Sequence, residues 1–408
     1  MPTVAIFPWG DVIEDFLDPI GLTIADFAER MSGGWLFGYV AALQACGWRA
    51  VMVCVSKGAT TSQRFRHAST GAPIWVVPGR PTAPTAEPSR HALRQWMGAP
   101  LRAFESVLRA EGCEYVLAQE YEYARFDALA LLCAWRRLPL FATFQGGDVT
   151  LSRVESKVRR WSLQRSRGLI IASAKERARV AAQYPDLPAR IASIPNPLDT
   201  QEWRALPRTQ ARAELGLPRD AFVVVNHGRI DVGRKGLDIL LDVWRRFIGS
   251  RPDARLHLIG AGQDDRLFAR MLAEASLPSI SWDARYTTDR TLVRRWLSAA
   301  DAYITTSRTE GMPVAPIEAM ACGLPVVASR AQGLPDIFPL GEASGGLLFD
   351  ASEPAAAAAA LSRLANDAGY RKALSDAGRA TVESRFSIGA VGRELAEFLS
   401  QAAIKAPA

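Results

Sequence analysis

Apolar residues along the chain fall into short β-branched runs, separated by longer stretches in which they recur every three to four positions. The first rhythm is that of strands buried on both faces. The second is that of helices with one apolar stripe. In the first half the runs are Val4–Phe7, Ala50–Val55, Ile74–Val77, Tyr115–Ala118, Leu140–Phe144 and Leu169–Ala172. A fresh series begins at Phe222–Asn226 and continues with Arg255–Ile259, Ile280–Trp282, Ala302–Thr305, Val326–Ala328 and Leu347–Phe349. Such alternation predicts βαβ units around parallel sheets. Between the two series, Pro195–Arg208 is Pro-rich and weakly periodic, which reads as an interdomain connection. The expectation is an α/β chain of two Rossmann-like, doubly wound domains, over residues 1–198 and 199–385, facing each other across a cleft. Ligands then sit at the carboxyl ends of the strands. The stretch Pro78 to Arg90, "PGRPTAPTAEPSR", reads as a surface loop. The run Ala355–Ala360 follows Ser352 and Pro354, an N-cap and first-turn pair, and so reads as a helix.

Composition narrows this picture. At 408 residues, with 49% hydrophobic and 22% charged residues, the chain has the make-up of a soluble protein of two or three domains. No apolar stretch reaches the ~18 residues of a membrane span, and the first residues lack a signal-peptide pattern. The five cysteines, Cys46, Cys54, Cys113, Cys133 and Cys322, are scattered without a CxxC pair. They read as reduced core thiols of a cytoplasmic protein. A net charge of +7 fits either an Arg-rich soluble protein or an anionic partner. Basic residues gather in "SRVESKVRRWSLQRSR", where Arg153, Lys157, Arg160 and Arg167 recur at roughly helical spacing with Trp161 and Leu163 between them. That pattern suits a solvated helix face or contact with an acidic membrane surface, as at the inner membrane. No nucleic-acid motif appears.

Two stretches carry chemistry. In "VVVNHGRIDVGRKGLDILLDVW" a strand opens into a loop holding Gly228, Arg229, Gly233, Arg234, Lys235 and Gly236, and a helix follows. Glycines let the backbone approach a ligand, and the helix start offers free N–H groups to an anion. Arg229 and Lys235 lie at the two ends of that loop, placed to converge on phosphate oxygens. The later "GAGQDDR" has Arg266 in place of the third glycine of a dinucleotide fingerprint, which disfavours NAD. In "SRTEGMPVAPIEAMACGLPVV" the strand Ala302–Thr305 turns at Ser307–Gly311, with Pro313 expected in the first turn of a helix that ends at Gly323. Glu310 and the Gly311–Met312 amides then stand at the helix mouth, with Glu318 further in among small residues. Two buried carboxylates need partners, from the protein or from a ligand.

These motifs, together with "GLPDI", "IPNPLD", "LIGAGQD" and "WLSAADAYITTS", resemble a family 4 glycosyltransferase of the GT-B fold. The resemblance covers about two-thirds of the chain from the interdomain connection onward, and continues more loosely through "GGWLFGYVAALQACGWRAVMV". It implies retaining, metal-independent transfer of a sugar from a nucleoside diphosphate sugar, with no further cofactor. The base is UDP by default and GDP next, and the acceptor is a hydroxyl of unspecified type. By the same analogy, Arg229 and Lys235 bind the diphosphate, Glu318 the ribose and Glu310 the transferred sugar. Gly228, Gly311, Met312 and Pro313 cradle the donor, while Gly33 and Gly34 approach its phosphates from the N-terminal domain. Base recognition falls near Trp282–Arg285. The last helix, Ile388–Ala402, crosses back to the N-terminal domain after a break near Ser384–Ser387. Many relatives place a donor-contacting histidine after the strand matching Leu140–Phe144; here Gln145 stands at that position. Gln145 and Asp148, with Glu120, Glu122, Trp9, Gly10 and Asp11, are sugar or acceptor candidates. A strand-end role is the plainer reading for His227, and a polar loop before a helix capped by Asp127 the plainer one for Glu120 and Glu122. Two other readings fit the same motifs: a GT-B protein that binds nucleotide sugar without transferring it, and a GT-B epimerase or phosphorylase.

Overall fold

The computed structural model describes the chain apart from residues 9, 11, 32–33, 80–94, 147–150, 188–189, 286, 288 and 405–408, and the side chains of 19, 34, 35 and 402–404. It divides into two units, Met1–Pro197 with Ile388–Ala408, and Leu198–Ser387.

The first unit carries an eight-stranded sheet in the order β3-β4-β2-β1-β5-β6-β7-β8. Its strands are β1 (Thr3–Phe7), β2 (Arg49–Ser56), β3 (Gln63–Arg66), β4 (Pro73–Pro78), β5 (Tyr115–Ala118), β6 (Leu140–Thr143), β7 (Gly168–Ile170) and β8 (Arg190–Ala192). Every pairing is parallel except β3 with β4 at the edge. The sequence pattern predicts neither β3 nor β8. The reason is physical: β3 reads Gln-Arg-Phe-Arg and is mostly exposed, and β8 is half-buried throughout. An edge strand with little to bury carries no apolar signature.

Helices cover both faces of this sheet. On one, α1 (Gly34–Ala45) contributes Leu36, Phe37, Val40 and Leu43 to the core. On the other, α2 (Leu101–Ala110), α3 (Ala124–Arg136) and α4 (Arg153–Arg165) share a core through Phe104, Phe126, Leu129 and Leu163. Asp127 does not cap α3. It lies in the first turn and takes a buried, two-pronged ion pair from Arg159 of α4, at 2.9 and 3.0 Å. Of the five cysteines, all are free and four are buried.

The second unit holds a six-stranded sheet in the order β11-β10-β9-β12-β13-β14. The strands are β9 (Val223–His227), β10 (Arg255–Ile259), β11 (Ile280–Asp283), β12 (Ala302–Thr305), β13 (Val326–Ser329) and β14 (Gly346–Phe349), all parallel. Helix α5 (Leu237–Ile248) buries Leu237, Leu240, Val243, Trp244 and Phe247 against it. Helix α6 (Ala315–Ala321) starts later than the prolines suggest: Pro313 lies ahead of it, and Pro316 occupies the first turn. The alanine run is helical over Pro354–Asn366, with Glu353, not Ser352, at the N-cap position and no side-chain cap bond.

A π-helical turn, Val382–Phe386, closes the second unit, and α7 (Ile388–Ile404) belongs to the first. There it packs on α1 closely enough that a Cβ on Gly392 would stand 2.4 Å from the carbonyl of Ala42. Chain order thus places the last helix in the unit that the first strand began.

Candidate functional site

In the second unit the loops at the carboxyl ends of β9, β10, β12 and β13 interlock through backbone. The Gly228 amide donates to the Ile259 carbonyl at 3.0 Å. A Cβ on Gly260 would fall 1.9 Å from the Gly228 oxygen, and one on Gly262 2.1 Å from the Ile230 oxygen. The glycines of "GAGQD" therefore serve loop-on-loop packing, which explains a G-x-G without the rest of a dinucleotide fingerprint. A single helical turn, Val232–Lys235, follows; Asp231 caps it through the Arg234 amide at 2.9 Å. Gly236, with φ +60°, ends that turn and begins α5. It lies so close to Thr306 that a Cβ there would approach the Thr306 oxygen to 2.1 Å. The loop after β12 is backed in the same way by the loop after β13. Thr309 bridges Gln332, and Gly333, at φ +84°, sits against Gly311.

These loops bring the charged residues together. Lys235 Nζ donates to Glu310 Oε1 at 2.6 Å, and the hydroxyl of Ser307 donates to the same oxygen at 2.6 Å. Glu310 is buried, yet Oε2 has no donor among the described residues. Glu318, on α6, pairs through Oε2 with Nε2 of His227 at 2.7 Å. His227 is fixed in turn: the Tyr303 hydroxyl donates to its carbonyl at 3.2 Å, and the two rings meet edge-on. Burial pushes the Tyr303 phenol far above its usual range, so that hydroxyl remains a donor. Arg229 is exposed at the end of β9 and makes no ion pair or hydrogen bond among the described residues. The result is two buried carboxylates at the strand ends of one parallel sheet, Glu310 held by Lys235 and Glu318 by His227, with Arg229 in the loop after β9.

In the first unit a second polar cluster forms after β5 and β6. Glu120 is buried and accepts from the amides of Glu122 and Gln145, at 3.1 and 3.0 Å. Gln145 and Asn196 exchange side-chain hydrogen bonds in both directions, at 3.3 and 3.2 Å, and Gln145 also donates to Thr143 at 3.1 Å. Both ends of the Gln145 amide are thus engaged by protein groups. Glu122 does not sit on a polar surface loop: it is buried and pairs with Arg179 at 2.6 Å.

Comparison with known proteins gives this geometry a family. Residues 37–202 match the family described as Glycosyltransferase Family 4, and residues 221–367 match Glycosyl transferases group 1. The chain belongs to the GT4-like glycosyltransferases. It is 34% identical over 181 residues to the lipopolysaccharide core biosynthesis glycosyltransferase LpsD of Rhizobium meliloti, an alignment that takes in 44% of this chain and 50% of that protein. The chain spans about half the length of curated relatives it matches. Among solved structures, the sucrose-phosphate synthase of Thermosynechococcus elongatus superposes with a TM-score of 0.74 at 20% identity, covering 98% of this chain and 99% of that one. HepE of Anabaena in complex with UDP superposes with a TM-score of 0.70 at 18% identity, covering 98% and 100%. The architecture is that of the GT-B fold.

Within this glycosyltransferase fold, the second unit gathers Gly228, Lys235, Glu310, Gly311 and Glu318 at one set of strand ends, with Arg229 in the same loop. Met312 is buried there and Pro313 half-buried. Arg285 lies after β11, exposed, with its guanidinium on Asp283 at 2.9 and 3.1 Å. Gly34 opens α1. Trp9, Asp11, Gly33 and Asp148 lie outside the described residues, as does most of the segment Pro78 to Arg90. His227 ends β9, as its strand-end reading expects, but its pairing with Glu318 is not readable from the sequence. Its partner Glu318 is 91 positions away, so no local spacing links them.

Proposed function

We propose that the chain is a retaining glycosyltransferase that moves a sugar from a nucleoside diphosphate sugar to a hydroxyl acceptor. UDP is the default base and GDP the next. The observation that carries this reading is the Lys235–Glu310 pair, with Glu318 held by His227 at the same strand ends and Arg229 in the loop that leads to Lys235. When the glycosidic bond breaks, negative charge grows on the departing diphosphate. Arg229 and Lys235 neutralise it, which is electrostatic stabilisation aimed where charge develops. These cations do the work that a divalent metal does in other transferases. Glu310 keeps Lys235 in place through Oε1 and offers Oε2 to the sugar hydroxyls. Glu318 takes the ribose hydroxyls with the oxygen that His227 leaves available. Ligand hydroxyls then offset the cost of burying both carboxylates. The departing phosphate accepts the acceptor's proton, so the protein need supply no base. Glu120 and Gln145, in the first unit, contribute sugar or acceptor contacts. The proposed site of action is the cytoplasm, which suits a chain whose five cysteines are all free.

A thermal-shift panel of UDP-, GDP-, ADP- and dTDP-sugars tests the reading. One donor at about 100 times its dissociation constant adds roughly 2.7 kcal/mol and raises the melting temperature. The rise shrinks in Lys235→Ala and Glu318→Gln. A panel in which no nucleotide sugar shifts the wild-type protein contradicts the proposal.

A further inference from the structure

Eight large apolar side chains are exposed among the described residues, and five of them lie on adjoining helical segments of the first unit: Met97, Leu131, Trp135, Val154 and Trp161. Helices α3 and α4 bury their inner sides in one core. The Arg159–Asp127 pair binds them side by side, so their outer sides face the same way. The Trp96 indole donates to that same Asp127 at 3.1 Å, which brings Met97 to the same surface. Trp135 is 66% exposed and Val154 54%. Single exposed apolar residues need no account, but a concentration of them on one face does.

The charge around these anchors is mostly basic, although Arg136 pairs with Glu105 at 3.4 Å and Arg160 with Asp186. The Arg136 guanidinium lies over the Trp135 ring and that of Arg165 over Trp161, each at 5.6 Å from the ring centre. Arg137, Arg153 and Lys157 are exposed on the same helices, and none of them, nor Arg165, pairs with a carboxylate among the described residues. The two acidic residues on α3 and α4 are both taken: Asp127 is buried under Arg159, and Glu155 closes the N-terminal cap with Ser152.

We propose that this face docks the protein on a bilayer rich in anionic phospholipid. Trp135 and Trp161 enter the headgroup region, with Leu131, Val154 and Met97 beside them. The unpaired arginines and lysine meet lipid phosphates. Tryptophans with basic neighbours on a helix lying parallel to the surface suit the boundary between headgroups and acyl chains. This docking goes beyond the transfer reaction and does not depend on it.

Co-sedimentation of the full-length chain tests the proposal, with phosphatidylcholine vesicles alone and with vesicles also containing phosphatidylglycerol. Wild-type protein binds only the anionic vesicles, and less as salt rises. Trp135→Ser with Trp161→Ser weakens partitioning about tenfold, and Lys157→Glu with Arg165→Glu at least as much. Trp135, Lys157 and Arg165 are exposed and Trp161 is 36% exposed, so melting temperatures recorded alongside separate lost docking from lost folding. Brominated lipid quenches tryptophan emission in the wild type and less in the serine pair. The proposal is overturned if the wild type ignores anionic vesicles. It is equally overturned if the serine pair binds as well as wild type, since charge alone then suffices. A wild-type dimer in light scattering that becomes monomeric in the serine pair also overturns it, by naming a second copy as the occupant.

Discussion

Nε2 of His227 lies 2.7 Å from Glu318 Oε2, and Tyr303 holds the histidine's backbone from below. A carboxylate at a helix start surrounded by small residues has rotamer freedom, and this bond removes it. His227→Ala therefore weakens donor binding by about ten- to a hundredfold, the worth of one hydrogen bond to a charged group. His227→Gln, which can still donate, restores most of the affinity. Calorimetric titration with the preferred nucleotide sugar reads both, and equal affinity in all three proteins contradicts the role. Arg229, Lys235, Glu310 and Glu318 are legible in the sequence because each sits in a strand–loop–helix context that gives it a direction. His227 is not, because its meaning depends on a residue from another βα unit. Gln145 falls between: its position reads directly from β6, but its engagement by Asn196 does not.

Elements carry the site through contacts that only glycine permits. Gly333 has φ +84° and its missing Cβ would sit 1.9 Å from the Gly311 oxygen. Gly333→Ala adds about 1–3 kcal/mol of backbone strain alone, and it pushes the Glu310 loop out of place. Urea denaturation should show the loss of stability, and transfer should fall further than stability does. A variant with wild-type stability and turnover would show that the two loops do not need this contact. Asp127 is the corresponding anchor between α3 and α4. Removing its charge leaves Arg159 buried and unpaired, so Asp127→Ala costs about 3–5 kcal/mol in the same measurement, and a loss under 1 kcal/mol would contradict the anchoring role. Twelve strands announce themselves as β-branched runs. The other two, β3 and β8, do not, since a strand with no apolar face to bury leaves no pattern to read. The start of α6 was likewise hidden, because Pro313 and Pro316 both satisfy the rule for a first turn.

For the whole molecule, two sheets with separate cores, parallel but for edge strand β3, follow from two series of strand runs, and the α7 helix joins the first core by packing against α1. Stability of the second unit responds to pH through His257, which stacks on Trp296 and bonds to Ser281. Burial drives the His257 imidazole down to about 4 from 6.5, against the pull of Asp283. Below pH 6.5 the unfolded chain takes up a proton that the folded chain refuses. Stability therefore falls as pH drops from 6.5 to about 4 and levels off below. Each unit of that window costs at most about 1.4 kcal/mol, and a His257→Gln variant should show a flatter curve in pH-dependent denaturation. Equal slopes in the two proteins would assign the window to other groups. The chemistry itself comes to one comparison: the rate of sugar transfer from the preferred donor by wild type and by folded Lys235→Ala. A loss of about ten- to a hundredfold or more is expected if Lys235 meets the charge that grows on the departing diphosphate, as proposed. Near-wild-type turnover in that variant would contradict it.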